Sequence, residues 1–469
     1  MSVHPAGPAP SVPALCRIRR LAGGAVVLAA LLALEPGRAQ AQSLEEAVRR
    51  ALDRSDAVEA TRWRLESARE TRIQARNLRR PTVQAEIEAS SVRRETDAPG
   101  VQQLVQRGEP ASASLIVSQP LYLGGRFDAA ARDADLRIAQ AEARLRQARL
   151  LVVRDVARAY AALQRDLDVA RIREEGVMLL ERNLAATQSR RAAGFLGQTE
   201  ISQVETRLAS GRAVAATARA RAAASRAALE RLLGEPAGAL TETVAPTAFA
   251  PATLEEAIDM ARSRSDALRI ASLEEDIARV AAQAARAEFA PRITLQASLT
   301  ATENAGLSEG FDTTNSQIQV RAQVPLWSAG QGLSRSRAAL AGANAARFDR
   351  LELEGQLVEE TTRAWVALAA ARETLALAAE QVAAGALASR GAALEFEVGL
   401  RSTIDVLNQE EEWQQARVAE ATARAAVLDA AVTLGVTLGV DPTGASEAAP
   451  GSLRLPGSRP AEGPPERQP

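Results

Sequence analysis

The 469-residue chain contains no lysine, a single cysteine, Cys16, and a single histidine, His4. Both of those residues precede every periodic segment, so the remainder offers no thiol nucleophile, no imidazole base and no Cys/His metal site. The usual actors of most enzyme mechanisms are missing, no enzymatic role is expected, and no cofactor is expected either. Carboxylate groups such as Glu359-Glu360 and Glu410-Glu411-Glu412 remain, but they fall on helical segments as solvated charge and imply no concave site. Aromatic residues make up 3% of the chain, too few to stack bases. The basic residues are all arginine, and 57 of them against 58 acidic residues leave a net charge of −1. They are interleaved with Asp and Glu along helices, so nucleic acid is not an expected partner. Long hydrophobic runs are scarce as well: Leu21–Leu34 is too short to span a bilayer as a helix, and no later stretch reaches that length.

That short run fits a secretory signal. Arg17, Arg19 and Arg20 precede it and Ala39-Gln40-Ala41 offers a small-residue cleavage site, so residues 1–41 read as a leader and the mature chain starts near Gln42. Arg19-Arg20 also invites a twin-arginine reading, which the residues that follow fit poorly. Cys16 stands before the apolar run, the wrong side for lipid attachment.

What the chain has in abundance is itself. Ser43-Leu44-Glu45-Glu46-Ala47 returns as Thr253-Leu254-Glu255-Glu256-Ala257, Ser55-Asp56 as Ser265-Asp266 and Pro81 as Pro291, all 210 residues apart. The offset then becomes 205: Pro120-Leu121-Tyr122 matches Pro325-Leu326-Trp327, Gly125 matches Gly330, and Arg158–Leu163 matches Arg363–Leu368. Gly194 pairs with Gly399, Glu200 with Asp405, and Leu233-Gly234 with Leu438-Gly439. The slip lies between the two prolines of each copy, where a loop changes length cheaply. Residues 42–242 and 243–440 are therefore expected to build two equivalent units. Residues 441–469, rich in Pro, Gly, Ser, Ala and Glu, read as a disordered tail.

Each copy opens with a capping box, Ser43-x-x-Glu46 or Thr253-x-x-Glu256, and the spacing predicts one helix to about Asn77 or Phe289 before Pro81 or Pro291 breaks it. The period then becomes two. Ile293, Leu295, Ala297 and Leu299 alternate with polar neighbours, as do Ile318, Val320, Ala322 and Val324; copy one gives Val83, Ala85, Ile87 and Ala89 and a less regular run near Ser112–Pro120. Pro120 and Pro325 are expected to end the second strand of each pair. Residues 93–110 and 303–314 read as loops, with turn chemistry at Asp97-Ala98-Pro99-Gly100 and Asn304-Ala305-Gly306. Strands of this length suit either a soluble hairpin or a tilted membrane barrel, and alternation alone does not separate the two.

Helix fills the rest. Val153, Val156, Tyr160, Leu163, Leu167, Ala170, Val177 and Leu184 form a stripe in copy one, and Phe348, Leu351, Val358 and Trp365 in copy two. Such stripes predict coiled-coil-like rods of roughly 95 Å, far longer than a globular domain needs. Trp63, Trp365 and Trp413 read as packing residues, and Tyr122 and Trp327 as interfacial aromatics. Gly194 and Gly399 stop the rods, and Ser402-Thr403-Ile404-Asp405 restarts the chain with another capping box.

In this order the chain resembles the TolC-like outer-membrane efflux (channel-tunnel) family across nearly all of residues 43–440. The resemblance rests on the duplication, on Pro120–Gly125 and Pro325–Gly330, on the turns at Gly194 and Gly399, and above all on Phe396–Leu407. It implies a mainly α protomer of very long coiled-coil-like helices plus four membrane strands. Three such protomers would complete a twelve-stranded β-barrel and a periplasmic α-helical tunnel. A homotrimer, outer-membrane lipid, a periplasmic adaptor and an inner-membrane pump are the implied partners. The implied function is a passive exit duct of a tripartite efflux or type I secretion system. The rival reading is a periplasmic coiled-coil adaptor or scaffold that never enters the outer membrane.

Four strands in lipid would leave unsatisfied edges and bacterial barrels start at eight, so an oligomer is required on physical grounds alone. The resemblance also assigns a tip. Asp405 matches a pore-facing acid, Asn408 stands where a second acid is found, and Arg401 and Glu200 match the ends of a link between hairpins. Phe396 stands where a tyrosine would add a hydrogen bond to that link. The plainer alternative is that Glu200 and Asp405 are helix-start residues favoured by the dipole.

Overall fold

The computed structural model describes residues 42–98, 101–194, 197–241, 245, 249–305 and 310–444. In the first copy α1 (Leu44–Arg54) and α2 (Asp56–Asn77) lead into β1 (Thr82–Ala89), β2 (Val92–Ala98), β3 (Val101–Gly108) and β4 (Ala111–Leu123), followed by α3 (Arg126–Ala192) and α4 (Gln198–Leu233). The second copy runs α5 (Leu254–Arg264), α6 (Asp266–Arg286), β5 (Arg292–Glu303), β6 (Thr313–Gln323), α7 (Gln331–Glu397) and α8 (Thr403–Thr437).

The opening helix of each copy is in fact two. Ser55 and Ser265 break it in extended backbone, and each hydroxyl accepts from the amide three residues on, Val58 or Leu268. A side chain that caps competes with the helix it interrupts. The capping box is complete in the second copy, where Glu256 reaches back to Thr253. In the first copy only the Ser43 half forms, because Glu46 turns to Arg50 instead.

The residues between β1 and β4 are not a plain loop. Val92–Ala98 and Val101–Gly108 pair as a hairpin of their own, with Pro99 and Gly100 outside the described residues. The other connection keeps a turn: Asn304, at φ 53°, accepts from the Gly310 amide, while Gly306 lies outside the described residues.

The main sheet is antiparallel in the order β1-β4-β5-β6. Its register places Val83, Val117, Ala297 and Ile318 across one face, with Ala85, Leu115, Leu299 and Ser316 beside them. The opposite face carries Glu86, Ser114, Thr300 and Asn315, with Ile116 among them, so one side is largely apolar and the other largely polar. Pro120 does not end β4. A bulge between Pro120 and Tyr122 absorbs the lost ladder bond and shifts the phase, which sets Tyr122 beside Ile293 on the apolar face. Pro325 does follow the end of β6. Both outer strands, β1 and β6, have one neighbour only, and Ile87 and Ile318 are more than three-quarters exposed.

The helices stand as four columns. α3 packs on α2 and α4 on one side and on α6 and α8 on the other, and α7 packs on α6 and α8. Two cores sit at mid-height. Leu44, Val48 and Val58 close on Val153, Val156, Tyr160, Leu163, Leu229 and Leu233; Ala257 and Ala261 close on Leu357, Ala364, Leu368, Leu434 and Leu438. The copy-one stripe on α3 is buried as expected at Val153, Val156, Tyr160, Leu163 and Ala170. The copy-two stripe is not: Leu357, Thr361, Ala364 and Leu368 are buried, whereas Phe348 and Leu351 are exposed. α7 is an edge column, so the apolar side that periodicity detects faces outward. Trp63, on the other edge, is likewise exposed rather than packed. Trp365 does pack, against the second core. Among the described residues no helix is long and apolar enough to cross a membrane.

Candidate functional site at the helical tip

The ends of α3 and α7 lie far from the sheet, where each rod turns back. Gly194 and Gly399 make those turns at φ 84° and 80°, a backbone region that side chains with a Cβ rarely adopt. Beyond the second turn, Ser402 and Asp405 close a complete capping box. The Asp405 carboxylate accepts from the Ser402 hydroxyl at 2.6 Å and its amide at 3.3 Å. Those hydrogen bonds to Ser402, with a smaller contribution from the charge of Arg401, hold the Asp405 carboxyl below its ordinary range. Exposed and firmly ionised, it both caps α8 and presents a fixed negative charge.

The other expected tip residues are arranged differently from a simple Arg401–Glu200 pair. Arg401 bonds Glu395 of its own hairpin at 2.5 Å. The Glu200 carboxylate folds back toward Gly197, its Oε2 only 3.0 Å from where a Cβ on that glycine would sit. Within the protomer the two residues are therefore not joined. Asn408 is engaged instead: its Oδ1 accepts from Arg207 Nη2 on α4 at 2.6 Å. Phe396, which lacks a hydroxyl, still reaches the other hairpin, with the Arg190 guanidinium 4.1 Å from its ring centroid.

These contacts belong to a polar seam that ties the α3–α4 hairpin to α8. Arg207 also pairs with Glu411 at 3.1 Å, Arg417 pairs with Glu175 at 2.7 Å, and Asn183 donates to Glu410 at 3.2 Å. Glu410 is buried, and burial raises its carboxyl above the ordinary glutamate value, against the smaller opposing effect of the Asn183 bond. Trp413 lies in the same seam under Arg417. Arg207, Asn183 and Arg190 carry no local signature. They matter because residues some 200 positions apart meet, which no periodicity in one chain encodes.

Comparisons with known proteins agree with this architecture. Residues 47–235 and 257–440 match the family model described as outer membrane efflux protein. Outer membrane efflux protein BepC of Brucella suis biovar 1 is 24% identical over 264 residues, covering 56% of this chain and 57% of that protein. Protein CyaE of Bordetella pertussis is 32% identical over 209 residues, covering 43% of this chain and 42% of that protein. The chain thus spans about half the length of each of these curated relatives. Among solved structures, the outer membrane protein VceC of Vibrio cholerae superposes with a TM-score of 0.70 at 20% identity, covering 85% of this chain and 96% of that one. Two family matches, one on each copy of the duplication, together take in most of the sequence: the chain belongs to the outer membrane efflux protein family.

Proposed function

We propose that this protein is a passive exit duct: three copies would close a barrel in the outer membrane and a helical tunnel below it. Substrate would be delivered by an inner-membrane transporter and a periplasmic adaptor, in efflux or in type I secretion. The observation that carries the reading is the pair of matched open edges. Among the described residues β1 and β6 each have no strand on their outer side, and the columns below them, α2 and α7, expose Trp63 and Ile73 on one side and Phe348 and Leu351 on the other. A second copy satisfies both levels at once, which hydrocarbon demands of the strands and burial favours for the helices. Exposed Leu394, Val398 and Leu400 leave apolar surface at the tip, where an adaptor would dock. The leader, residues 1–41, would be removed on export.

The tip would then be the entrance. Asp405, repeated around the axis, would make a ring of negative charge, with Asn408 beside it a neutral position. Arg401 and Glu200 would pair across hairpins in the assembled entrance, exchanging the Glu395 contact, while Phe396 would hold Arg190. The test is membrane fractionation with heated and unheated gel mobility compared, followed by conductance in planar bilayers. An outer-membrane oligomer with a low-conductance resting state supports the reading. A freely soluble periplasmic protein would overturn it in favour of a scaffold.

A further inference from the structure

Gln42, the first residue after the expected leader, is held firmly in the fold. It is 2% exposed, and it pairs in a parallel bridge with Leu240 at the margin of the first core. Its backbone nitrogen donates to the Ala239 carbonyl at 2.7 Å, and its carbonyl accepts from the Thr241 amide at 3.2 Å. The Tyr160 hydroxyl, itself fully buried, lies 2.9 Å from that same carbonyl oxygen. The side-chain nitrogen, Nε2, is buried and has no hydrogen-bond partner among the described residues.

Cleavage after Ala41 would make the Gln42 nitrogen an ammonium. Two problems then coincide. A charged group with three donors would sit in a buried bridge that supplies one acceptor, and a buried unpaired charge is costly. It would also stand immediately before Ser43, the cap of α1, where the helix dipole is positive and repels a cation. The unpartnered side-chain amide adds a second cost of the same kind.

We propose that Gln42 is a modification site: once residues 1–41 are removed, on which the inference rests, it closes to an N-terminal pyroglutamyl lactam. The reaction is intramolecular. The α-amino nitrogen, having lost one proton, attacks the side-chain amide carbon; the new C–N bond replaces the bond to Nε2, which leaves as ammonia with the second proton from the amine. No oxidant or other reactant is needed. The lactam keeps the carbonyl that Thr241 and Tyr160 approach. It discards the charge, and the atom it expels is the one the fold leaves without a partner. Closure precedes docking, since the ring forms while the new chain end is free and the neutral end then seats in the bridge.

The experiment reads the undigested protein purified from membranes, because a glutamine exposed by proteolysis cyclises during handling. The expected intact mass is that of residues 42–469 less one ammonia, with stepwise N-terminal sequencing blocked until pyroglutamyl aminopeptidase is added in denaturant. Gln42→Ala should give a full-mass chain that sequences from its first residue. A chain starting at Gln42 with a free amine overturns the lactam while leaving the leader reading intact. A chain that keeps the leader or starts elsewhere overturns both. A blocked Gln42→Ala protein shows that the block is a different group and also overturns the proposal.

Discussion

The joint between sheet and tunnel contains two adjacent glycines that the structure uses in different ways, and substituting each separates conformation from space. Gly124 has φ 62° and Gly125 φ 89°, so a side chain at either one meets the left-handed region. That alone costs about 1–2 kcal/mol. Around Gly125 nothing lies within 4 Å of an added Cβ. At Gly124 the added Cβ would sit 2.3 Å from the Ala290 Cβ and 2.8 Å from the Ala287 carbonyl oxygen, both closer than atoms can approach. Overpacking of this kind adds about 1–3 kcal/mol. Gly125→Ala should therefore lose about 1–2 kcal/mol and Gly124→Ala about 2–5 kcal/mol.

The repeat supplies its own control. Ala329 occupies the position equivalent to Gly124 and adopts φ 49°, an alanine already in the left-handed region. Ala329→Gly should stabilise by about 1 kcal/mol. The assay is thermal loss of helical circular dichroism in detergent at one fixed scan rate, with gel mobility of unheated samples reporting assembly. Adding Ala290→Gly to Gly124→Ala removes the nearest overlapping atom and should recover part of the loss. Equal losses at Gly124 and Gly125, or no recovery with Ala290→Gly, would refute the argument that close approach selects glycine at 124.

Tyr160→Phe removes the hydroxyl that lies 2.6 Å from the Thr241 carbonyl and 2.9 Å from that of Gln42, so it should cost about 1–3 kcal/mol and make residues before α1 more susceptible to protease. Glu410→Gln should stabilise at neutral pH. Burial raises the Glu410 carboxyl, so its contribution is greatest when protonated and is lost as pH rises through the folded value; unfolding curves of wild type and variant should converge in acid and separate toward neutrality. Asp405→Ala should lower cation selectivity in planar bilayers without loss of assembly, and unchanged selectivity would leave its carboxylate a helix cap only. Epitope tags within residues 93–110 should label on intact cells; labelling only after permeabilisation would invert the topology.

Much of the fold was legible because it is local. Prolines 81 and 291, the period-two segments and the heptad stripe on α3 each state their own structure in a few consecutive residues. Ser55 and Ser265 were visible as matched residues, yet their effect depends on whether a hydroxyl caps a new helix or decorates an old one. The hairpin at Val92–Ala98 and Val101–Gly108 was hidden by charge, since Arg93, Arg94 and Glu95 break the alternation of a strand exposed on both faces. The misphased stripe on α7 has the opposite cause: apolar residues exposed on an edge column look the same in sequence as residues buried in a core. At the tip, Asp405 was accessible through its capping box. Arg207 was not, because its partners Asn408 and Glu411 are joined to it only by the way two hairpins lean together.

The joint between sheet and helices has a geometry of its own. Each strand of the main sheet continues into one helical column: α2 into β1, β4 into α3, α6 into β5, and β6 into α7. Sheet and tunnel wall therefore hold equal numbers of elements however many copies assemble. Strands lie about 4.8 Å apart and, tilted by about 40°, take up roughly 6 Å of circumference each. Packed helices need about 8–10 Å. If copies close a barrel and a ring as proposed, equal counts would make the helical ring about half as wide again as the barrel, so every strand-to-helix passage would have to step outward within a few residues. A smooth extended-to-helical transition cannot do that. The four positive-φ residues at Gly124, Gly125, Ala329 and Gly330 make the step on α3 and α7, and Pro81 and Pro291 interrupt the helices arriving from α2 and α6. Glu288 then fastens the two copies across the step, its carboxylate 3.3 Å from Arg126 at the start of α3 and 2.6 Å from Arg335 at the start of α7. In that assembly the doublets at 124–125 and 329–330 would take up the difference in width between a strand and a helix, and the duplication keeps a left-handed pair at both sites even though Ala329 stands at the position of Gly124.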